Sequence, residues 1–259
     1  MTDYISLIKD ENETRRFIEK VLQPLQNDEV YIAVLTARKK YCPTISSSME
    51  VVSRDIIRNN DTNKIMRKLK KMSIVEGLYT DKNEDIIPNE AFALYILPEP
   101  RSMLKAYTEF VLDINKWLYE SLKIKDPNLE LYKKLDLKLF SAIHRSKSKS
   151  KYFIIDIDKK DEKLLKNIFY YIQNLEDKVK GLHNVTLKFN GYEIINENIR
   201  WISETHGGYH IILDRNNETG KIIPKIMERK LEFVEFRKET MTPVVGISQG
   251  GFVVKEYKL

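Results

Sequence analysis

The sequence predicts an α+β protein, in which strands and helices are mixed rather than strictly alternating. Three observations support this fold class. Two runs rich in β-branched and aromatic residues, at 29–37 and 91–97, are typical of buried strands. Apolar residues at helical spacing predict amphipathic helices over 102–122 and 128–144. After residue 150 the pattern becomes a compact succession of short strands and one long helix.

Residues 1–100 form the predicted N-terminal α/β module. Its second strand is expected to end at Pro98, because proline cannot donate a backbone hydrogen bond. Between the two strands, residues 51–72 carry apolar residues at helical spacing that are interrupted at residues 59–61, which predicts a broken helix. Residues 101–150 are a predicted helical bridge that closes with a basic linker.

Residues 151–259 form the predicted C-terminal module, an antiparallel sheet with one helix. Gly207 and Gly208 mark a tight turn between two of its strands. The predicted helix covers residues 161–179, and the predicted strands cover residues 151–158, 185–189, 199–205, 209–213 and 231–236.

Composition limits the classes of protein and of site. The 259 residues are 42% apolar, which is enough to bury an ordinary core. The single cysteine, Cys42, excludes an internal disulfide and a zinc ribbon. No apolar run reaches the roughly 20 residues of a membrane span, and the N-terminus lacks the apolar core of a secretory signal. We therefore expect a soluble, intracellular protein of the cytoplasm without a membrane partner.

Basic residues exceed acidic residues, giving a net charge of +6, and part of the excess is clustered. Arg38, Lys39 and Lys40 follow the first strand directly, and Arg101 follows the second. Arginine and lysine at such positions are candidates for contacts with the phosphates of a template strand or of a nucleotide. The alternative for each is an ordinary solvated surface cation.

Two acids lie at the end of the first strand of the C-terminal module. Because side chains alternate along a strand, Asp156 and Asp158 project from the same side. Two adjacent carboxylates repel each other unless a cation lies between them, and Mg²⁺ or Mn²⁺ suits such oxygen ligands. The alternative is that the pair is the solvated end of a strand.

A second polar segment follows about fifty residues later, in the sequence Ser203–Leu213. Gly207 and Gly208 allow the backbone to approach an anion closely, and His210, at the start of an apolar strand, can donate to a phosphate oxygen. The alternatives are a hairpin turn without a ligand and a histidine whose hydrogen bonds are satisfied within the core.

The order of these two segments resembles the catalytic motifs of the archaeo-eukaryotic primase superfamily. There, a strand with Asp-x-Asp precedes a glycine-containing turn that leads into a strand with a catalytic histidine. The resemblance assigns catalysis to Asp156, Asp158 and His210, with the two aspartates as metal ligands and His210 in contact with the incoming nucleotide. It also places Thr205, Gly207 and Gly208 near the triphosphate.

The chain also resembles the short primase-like proteins of viruses, phages and plasmids. The segments LTARKKYCP, ALYILPEPRSMLKA and MTPVVGISQGGFVVK extend this likeness over most of its length. The resemblance implies a primase-like catalytic core, with an N-terminal α/β module and a C-terminal RRM-like antiparallel sheet. It implies a DNA primase or polymerase activity that uses Mg²⁺ or Mn²⁺. The implied partners are single-stranded DNA, nucleoside triphosphates, and a replicative helicase or other replication proteins.

The family also has a third acid, on a later strand. Glu239 precedes the Met-Thr-Pro turn where this acid is expected, and we favour it. Glu235 is the alternative, because Glu235, Arg237 and Glu239 share one face of an extended strand. A glutamate here departs from the more familiar aspartate. These glutamates can also be read as the solvated face of an edge strand.

Two other functions compete with this interpretation. A non-catalytic protein that binds single-stranded nucleic acid would keep the fold and lose the metal. A replication-initiator nuclease would need two histidines flanking one apolar residue on a strand, whereas His206 and His210 are separated by a Gly-Gly turn. That spacing argues against the nuclease.

Overall fold

The structure, a computed structural model, describes residues 4–123, 134–148, 151–179, 199–215, 233–237 and 241–258. These residues form a mixed α+β protein with several antiparallel sheets, as predicted. The helices are α1 (Glu11–Val21), α2 (Thr62–Lys71), α3 (Met103–Ser121), α4 (Leu135–Arg145) and α5 (Glu162–Val179). The strands are β1 (Tyr4–Ile5), β2 (Glu29–Arg38), β3 (Met49–Ile57), β4 (Ile74–Val75), β5 (Phe92–Ser102), β6 (Tyr152–Ile157), β7 (Ile199–Glu204), β8 (Tyr209–Asp214), β9 (Val234–Arg237), β10 (Thr242–Pro243), β11 (Ser248–Gln249), β12 (Phe252–Val253) and β13 (Lys255–Glu256).

The first sheet has the strand order β10-β5-β2-β3 and is antiparallel throughout. Its central strands, β2 and β5, confirm the two strands predicted in the N-terminal module. β2 is buried on both faces: Tyr31 and Leu35 face the largest core cluster, whereas Ile32 and Val34 face residues of α3 and α4. The two helices confirm those predicted over 102–122 and 128–144, within the described residues.

The helix predicted over the first half of residues 51–72 is wrong. Residues Met49–Ile57 form β3, which pairs with β2 along its length. Their β-branched side chains suit a pleated edge strand, and pairing with β2 outweighs the chance helical spacing. The second half is helix α2, which begins after Asp61. The Asp61 carboxylate accepts hydrogen bonds from two backbone N–H groups of the first turn.

The predicted end of the second strand at Pro98 is also wrong, since β5 continues to Ser102. The pairing of β2 with β5 shifts register between Val30 and Ile32, so that residues 98–100 bulge opposite a single residue of β2. Proline is tolerated in a bulge because no ladder hydrogen bond is required of its nitrogen there.

The second sheet has the strand order β13-β7-β8-β6-β9, again antiparallel, and begins just after the predicted boundary at residue 150. Its helix, α5, confirms the helix predicted over 161–179. β6, β7 and β8 confirm the strands predicted at 151–158, 199–205 and 209–213, and β9 covers the end of the strand predicted at 231–236. The strand predicted at 185–189 lies outside the described residues.

The two faces of the second sheet have different partners. Ile155 and Ile157 of β6 pack with Leu165 and Phe169 of α5. The alternate residues Tyr152 and Ile154 join the core cluster of the first sheet. The end of this second face, beyond Ile154, carries the polar side chains described below.

The C-terminal segment, residues 241–258, contributes to both sheets. β10 pairs with β5 of the first sheet, and β13 pairs with β7 of the second. Between them, Ser248 donates its backbone N–H to the carbonyl of Leu7. None of the helices in the described part of the chain combines the length and apolar composition needed to cross a bilayer.

Candidate active site

A row of polar side chains crosses the second sheet on the face opposite α5. One residue comes from each of four adjacent strands: Ser203 of β7, His210 of β8, Asp156 of β6 and Glu235 of β9. Residues directly opposite on antiparallel strands project from the same face, with Cβ atoms about 5 Å apart. Strand pairing therefore brings the Asp-x-Asp strand, the histidine strand and one candidate third acid together. We call these four residues the polar row.

Asp156 and His210 form the centre of the polar row. Nε2 of His210 lies 2.9 Å from Oδ1 of Asp156, and both side chains are largely buried. Burial alone would raise the pKa of Asp156, but the hydrogen bond and charge of His210, with the charges of Arg237 and Lys40, hold that pKa below its usual value. Asp156 is therefore a carboxylate near neutral pH, with Oδ2 not engaged by His210.

Two polar atoms, on residues that lie opposite each other on β7 and β8, are buried without a hydrogen-bond partner in the described structure. They are Nδ1 of His210 and Oγ of Ser203. Buried polar atoms are nearly always hydrogen bonded, directly or through water. This end of the row is thus suited to a polar group of a ligand.

Asp158 lies one residue beyond β6 and is exposed. Its backbone N–H donates to the carbonyl of Phe233, 2.9 Å away, which continues the pairing of β6 with β9 past the end of the strand. The alternation of the strand keeps Asp158 on the side of Asp156. It therefore stands at the solvent-facing edge of the polar row.

The two candidates for the third acid differ in what the structure describes. Glu239 lies outside the described residues. Glu235 is directly opposite Asp156, and its carboxylate accepts a hydrogen bond of 2.9 Å from Nε of Arg237. Glu235 is thus the acid that strand pairing brings beside Asp156.

The turn before β8 is closed by its own residues. The backbone N–H of Thr205 donates to the carbonyl of Gly208 at 2.8 Å, and the Thr205 hydroxyl lies 3.2 Å from the Gly208 nitrogen. A Cβ at Gly208 would overlap the carbonyl oxygen of Ile157, whereas Gly207 faces open space. Gly208 is required for close packing of the turn against β6, and the Thr205 hydroxyl is used within the turn.

The basic residues at the end of β2 meet this face from the first sheet. Arg38 is half-buried, while Lys39 and Lys40 are exposed. Lys40 is close enough to the polar row to lower the pKa of Asp156. Arg101, in contrast, is 1% exposed, so the interpretation of this residue as a phosphate contact is wrong. The end of β2 therefore lies near the polar row.

The polar row has carboxylate oxygens of the kind that suit a divalent cation, but its side chains do not converge into a ligand set in the described part of the chain. Asp156 and Glu235 offer carboxylate oxygens of the kind that Mg²⁺ and Mn²⁺ prefer. In the described part of the chain, no three acidic, histidine or cysteine side chains converge into a group that could hold a metal ion. Asp156 contacts His210, and Glu235 contacts Arg237. Rotation of Glu235 away from Arg237 would bring a second carboxylate toward Asp156.

A hydrogen-bonded cluster beside the end of β2 was not predicted from the sequence. The hydroxyl of Tyr95, on β5, contacts Arg38, Tyr41 and Gln249, each at 3.1 Å. Gln249 in turn accepts the backbone N–H of His206 at 3.3 Å. Gln249 belongs to the segment MTPVVGISQGGFVVK, whose contacts could not be inferred from the sequence.

Comparison with protein-family models, with curated proteins and with solved structures found no match to this chain.

Proposed function

We propose that the protein is a metal-dependent nucleotidyltransferase of the primase kind, which extends or initiates a strand on single-stranded DNA. The observation that supports this most is the polar row, because it joins Asp156, His210 and Glu235 on three paired strands. A structural polar cluster would be expected to satisfy its own hydrogen bonds, whereas this one leaves buried atoms of His210 and Ser203 without partners.

Each residue of the site would have its own role in the reaction. Asp156 and Asp158, with Glu235 as the third acid, would hold Mg²⁺ or Mn²⁺, which would activate a 3′-hydroxyl and screen the triphosphate charge when bound. His210 orients the Asp156 carboxylate through the 2.9 Å contact of Nε2 with Oδ1. Lys40, just beyond the end of β2, would neutralise charge on the departing pyrophosphate.

The surface beside the polar row suits a nucleic-acid strand. The ammonium group of Lys160 lies 3.8 Å from the ring centroid of Phe252, and Lys40 lies 5.3 Å from that of Tyr41. Lysines bind phosphates and aromatic rings stack with bases, so adjacent basic and aromatic side chains, here with half-buried rings, favour single strands. Lys160 also pairs with Glu204, which moderates its charge.

The architecture supports the same proposal. The end of β2 in the first sheet lies near the polar row of the second sheet, and the second sheet carries a helix on its far face, as we expect for a primase-like core with an RRM-like module. The acidic strand β6 lies between the histidine strand β8 and the strand β9, which carries Glu235.

The test is synthesis of labelled product on a single-stranded DNA template with nucleoside triphosphates and Mg²⁺ or Mn²⁺. We expect wild-type product to disappear in the Asp156→Ala, Asp158→Ala double variant and to persist in Glu162→Gln, which alters an exposed acid of α5. Glu235→Gln should reduce synthesis more than Glu239→Gln. Absence of product from folded wild-type protein with both metals would refute the proposal.

The second candidate function is non-catalytic binding of single-stranded nucleic acid. It is favoured by one observation, the hydrogen bond from Arg237 to Glu235. This bond engages the carboxylate beside Asp156 that would otherwise bind a metal. If folded wild-type protein binds single-stranded DNA, makes no product and shows no affinity for Mn²⁺, this second function replaces the first.

A further inference from the structure

The Tyr95 hydroxyl determines which way the hydrogen bonds of its cluster run. Arg38 and the amide nitrogen of Gln249 can only donate, and each lies 3.1 Å from the Tyr95 oxygen. The orientation of the Gln249 amide follows from its other contact, because its oxygen accepts the backbone N–H of His206. The Tyr95 oxygen therefore accepts two hydrogen bonds, and its own proton is left to donate.

That proton goes to Tyr41, whose hydroxyl oxygen lies 3.1 Å from that of Tyr95. Tyr41 thus accepts from Tyr95 and cannot return its proton to the same oxygen, since both acceptor positions of Tyr95 are used. No other hydrogen bond of the Tyr41 hydroxyl is present in the described structure. The Tyr41 proton is consequently not committed to another group in the described structure.

The ring of Tyr41 is held from several sides. A Cβ added to Gly250, whose φ is 60°, would lie 2.6 Å from a ring carbon of Tyr41, so the two are in close packing. The His206 ring contacts Tyr41 edge-on, with centroids 5.3 Å apart. The hydroxyl is thereby fixed in place before any ligand binds, which lowers the entropic cost of binding.

The surroundings of Tyr41 determine what kind of acceptor suits its proton. Burial and the neighbouring Tyr95 raise the pKa of Tyr41 well above its usual value, so the hydroxyl remains a donor at physiological pH. The edge-on contact with His206, in the turn before β8, places Tyr41 near the strand that carries His210, and the charge of Asp156 contributes to the same pKa shift. Lys40 and Arg38 flank it, and their positive charges favour an anionic acceptor.

We propose that Tyr41 binds the substrate directly, by donating its hydroxyl proton to a phosphate oxygen of the nucleoside triphosphate. This inference rests on the proposed nucleotidyltransferase function and adds a binding residue from the first sheet. Tyr95 and Gln249 are positioning residues, because they act only through the direction they impose on the Tyr41 hydroxyl.

The test uses Tyr41→Phe, which keeps the ring and removes the donor. The matched control is Tyr257→Phe, which removes a tyrosine hydroxyl from the opposite, α5-facing side of the second sheet. Binding of inorganic tripolyphosphate and of a nucleoside triphosphate is measured by calorimetry with Mg²⁺. A hydrogen bond to a charged group predicts that Tyr41→Phe weakens binding of both ligands by about 10- to 100-fold, with the control unchanged.

The outcomes separate this inference from the proposed function. Equal affinity of wild type and Tyr41→Phe for tripolyphosphate overturns the inference, even if the wild type makes product. Loss of nucleotide affinity without loss of tripolyphosphate affinity also overturns it, because the contact then involves the sugar or base. Tripolyphosphate binding that depends on Tyr41, without synthesis of product, would support the phosphate contact and refute the proposed reaction.

Discussion

Replacement of Gly250 by alanine should destabilise the protein more than the same replacement at Gly251. Both glycines have left-handed backbone angles, with φ of 60° and 76°. An L-residue in this conformation costs about 1–2 kcal/mol, and this cost is common to the two variants. The surroundings differ, because a Cβ at Gly250 would lie 2.6 Å and 2.8 Å from ring carbons of Tyr41, whereas a Cβ at Gly251 meets no atom within 4 Å.

The difference between the two variants measures the Tyr41 contact. Forcing an extra methyl group into a packed region costs about 1–3 kcal/mol. Gly251→Ala should therefore lower the free energy of unfolding by about 1–2 kcal/mol, and Gly250→Ala by about 2–5 kcal/mol. For a chain of this size the two melting temperatures should differ by roughly 2–12 °C. Urea unfolding and thermal scans would measure both quantities.

A third variant identifies the source of the difference. In a Tyr41→Ala background the two ring-carbon contacts are gone and only the Cβ contact at 3.0 Å remains, so the costs of Gly250→Ala and Gly251→Ala in free energy of unfolding should become more similar. The double-mutant cycle between Gly250 and Tyr41 should then give a coupling energy of about 1–3 kcal/mol. Equal destabilisation by the two glycine variants in the wild-type background would refute the close packing of Gly250 against Tyr41.

Three further predictions concern stability. Gly208→Ala should lower the melting temperature more than Gly207→Ala, because only Gly208 packs against the Ile157 carbonyl; equal effects in thermal scans would contradict this. The pKa of Asp156 in the folded protein is lowered from its usual value of 3.8. The Asp156 carboxylate therefore stabilises the fold above the unfolded-state pKa, and this stabilisation is lost as the pH falls through the folded-state pKa. Asp156→Asn should therefore flatten the fall in the urea midpoint below about pH 4, and an unchanged slope would disprove the assignment. Asp61→Ala should cost about 1 kcal/mol by removing the cap of α2, while a serine there should retain most of the stability.

Several elements could be predicted because local pattern and tertiary environment agree. β2 is a continuous apolar run that is buried on both faces, and α5 has apolar residues at helical spacing that pack on one sheet. The error at β3 arose because the apolar residues of Val51–Ile57 fit both helical spacing and strand alternation over this short stretch. Only the pairing with β2 decides between helix and strand. The end of β5 was missed because a bulge, which sequence does not reveal, accommodates Pro98.

The candidate site was predictable only in part. Residue types and their order suggested that Asp156, Asp158 and His210 share a site, and strand pairing brings Asp156 and His210 together. The cross-strand register that puts Glu235 beside Asp156 could not, because a glutamate on an edge strand has no local signal. Tyr41 was missed for the same reason, since its role depends on contacts with residues distant in the chain.

The position of the C-terminal segment affects how the protein folds during translation. Translation is vectorial, so β5 and β7 emerge before β10 and β13, the strands that cover their edges. Until then the nascent chain exposes two unpaired strand edges, which are templates for aggregation. Gln249, which orients the Tyr95 cluster, also arrives only with this last segment. The nascent chain therefore cannot assemble the candidate site before residues 241–258 are made. Stop codons before residue 242 should yield aggregates rather than partly active protein.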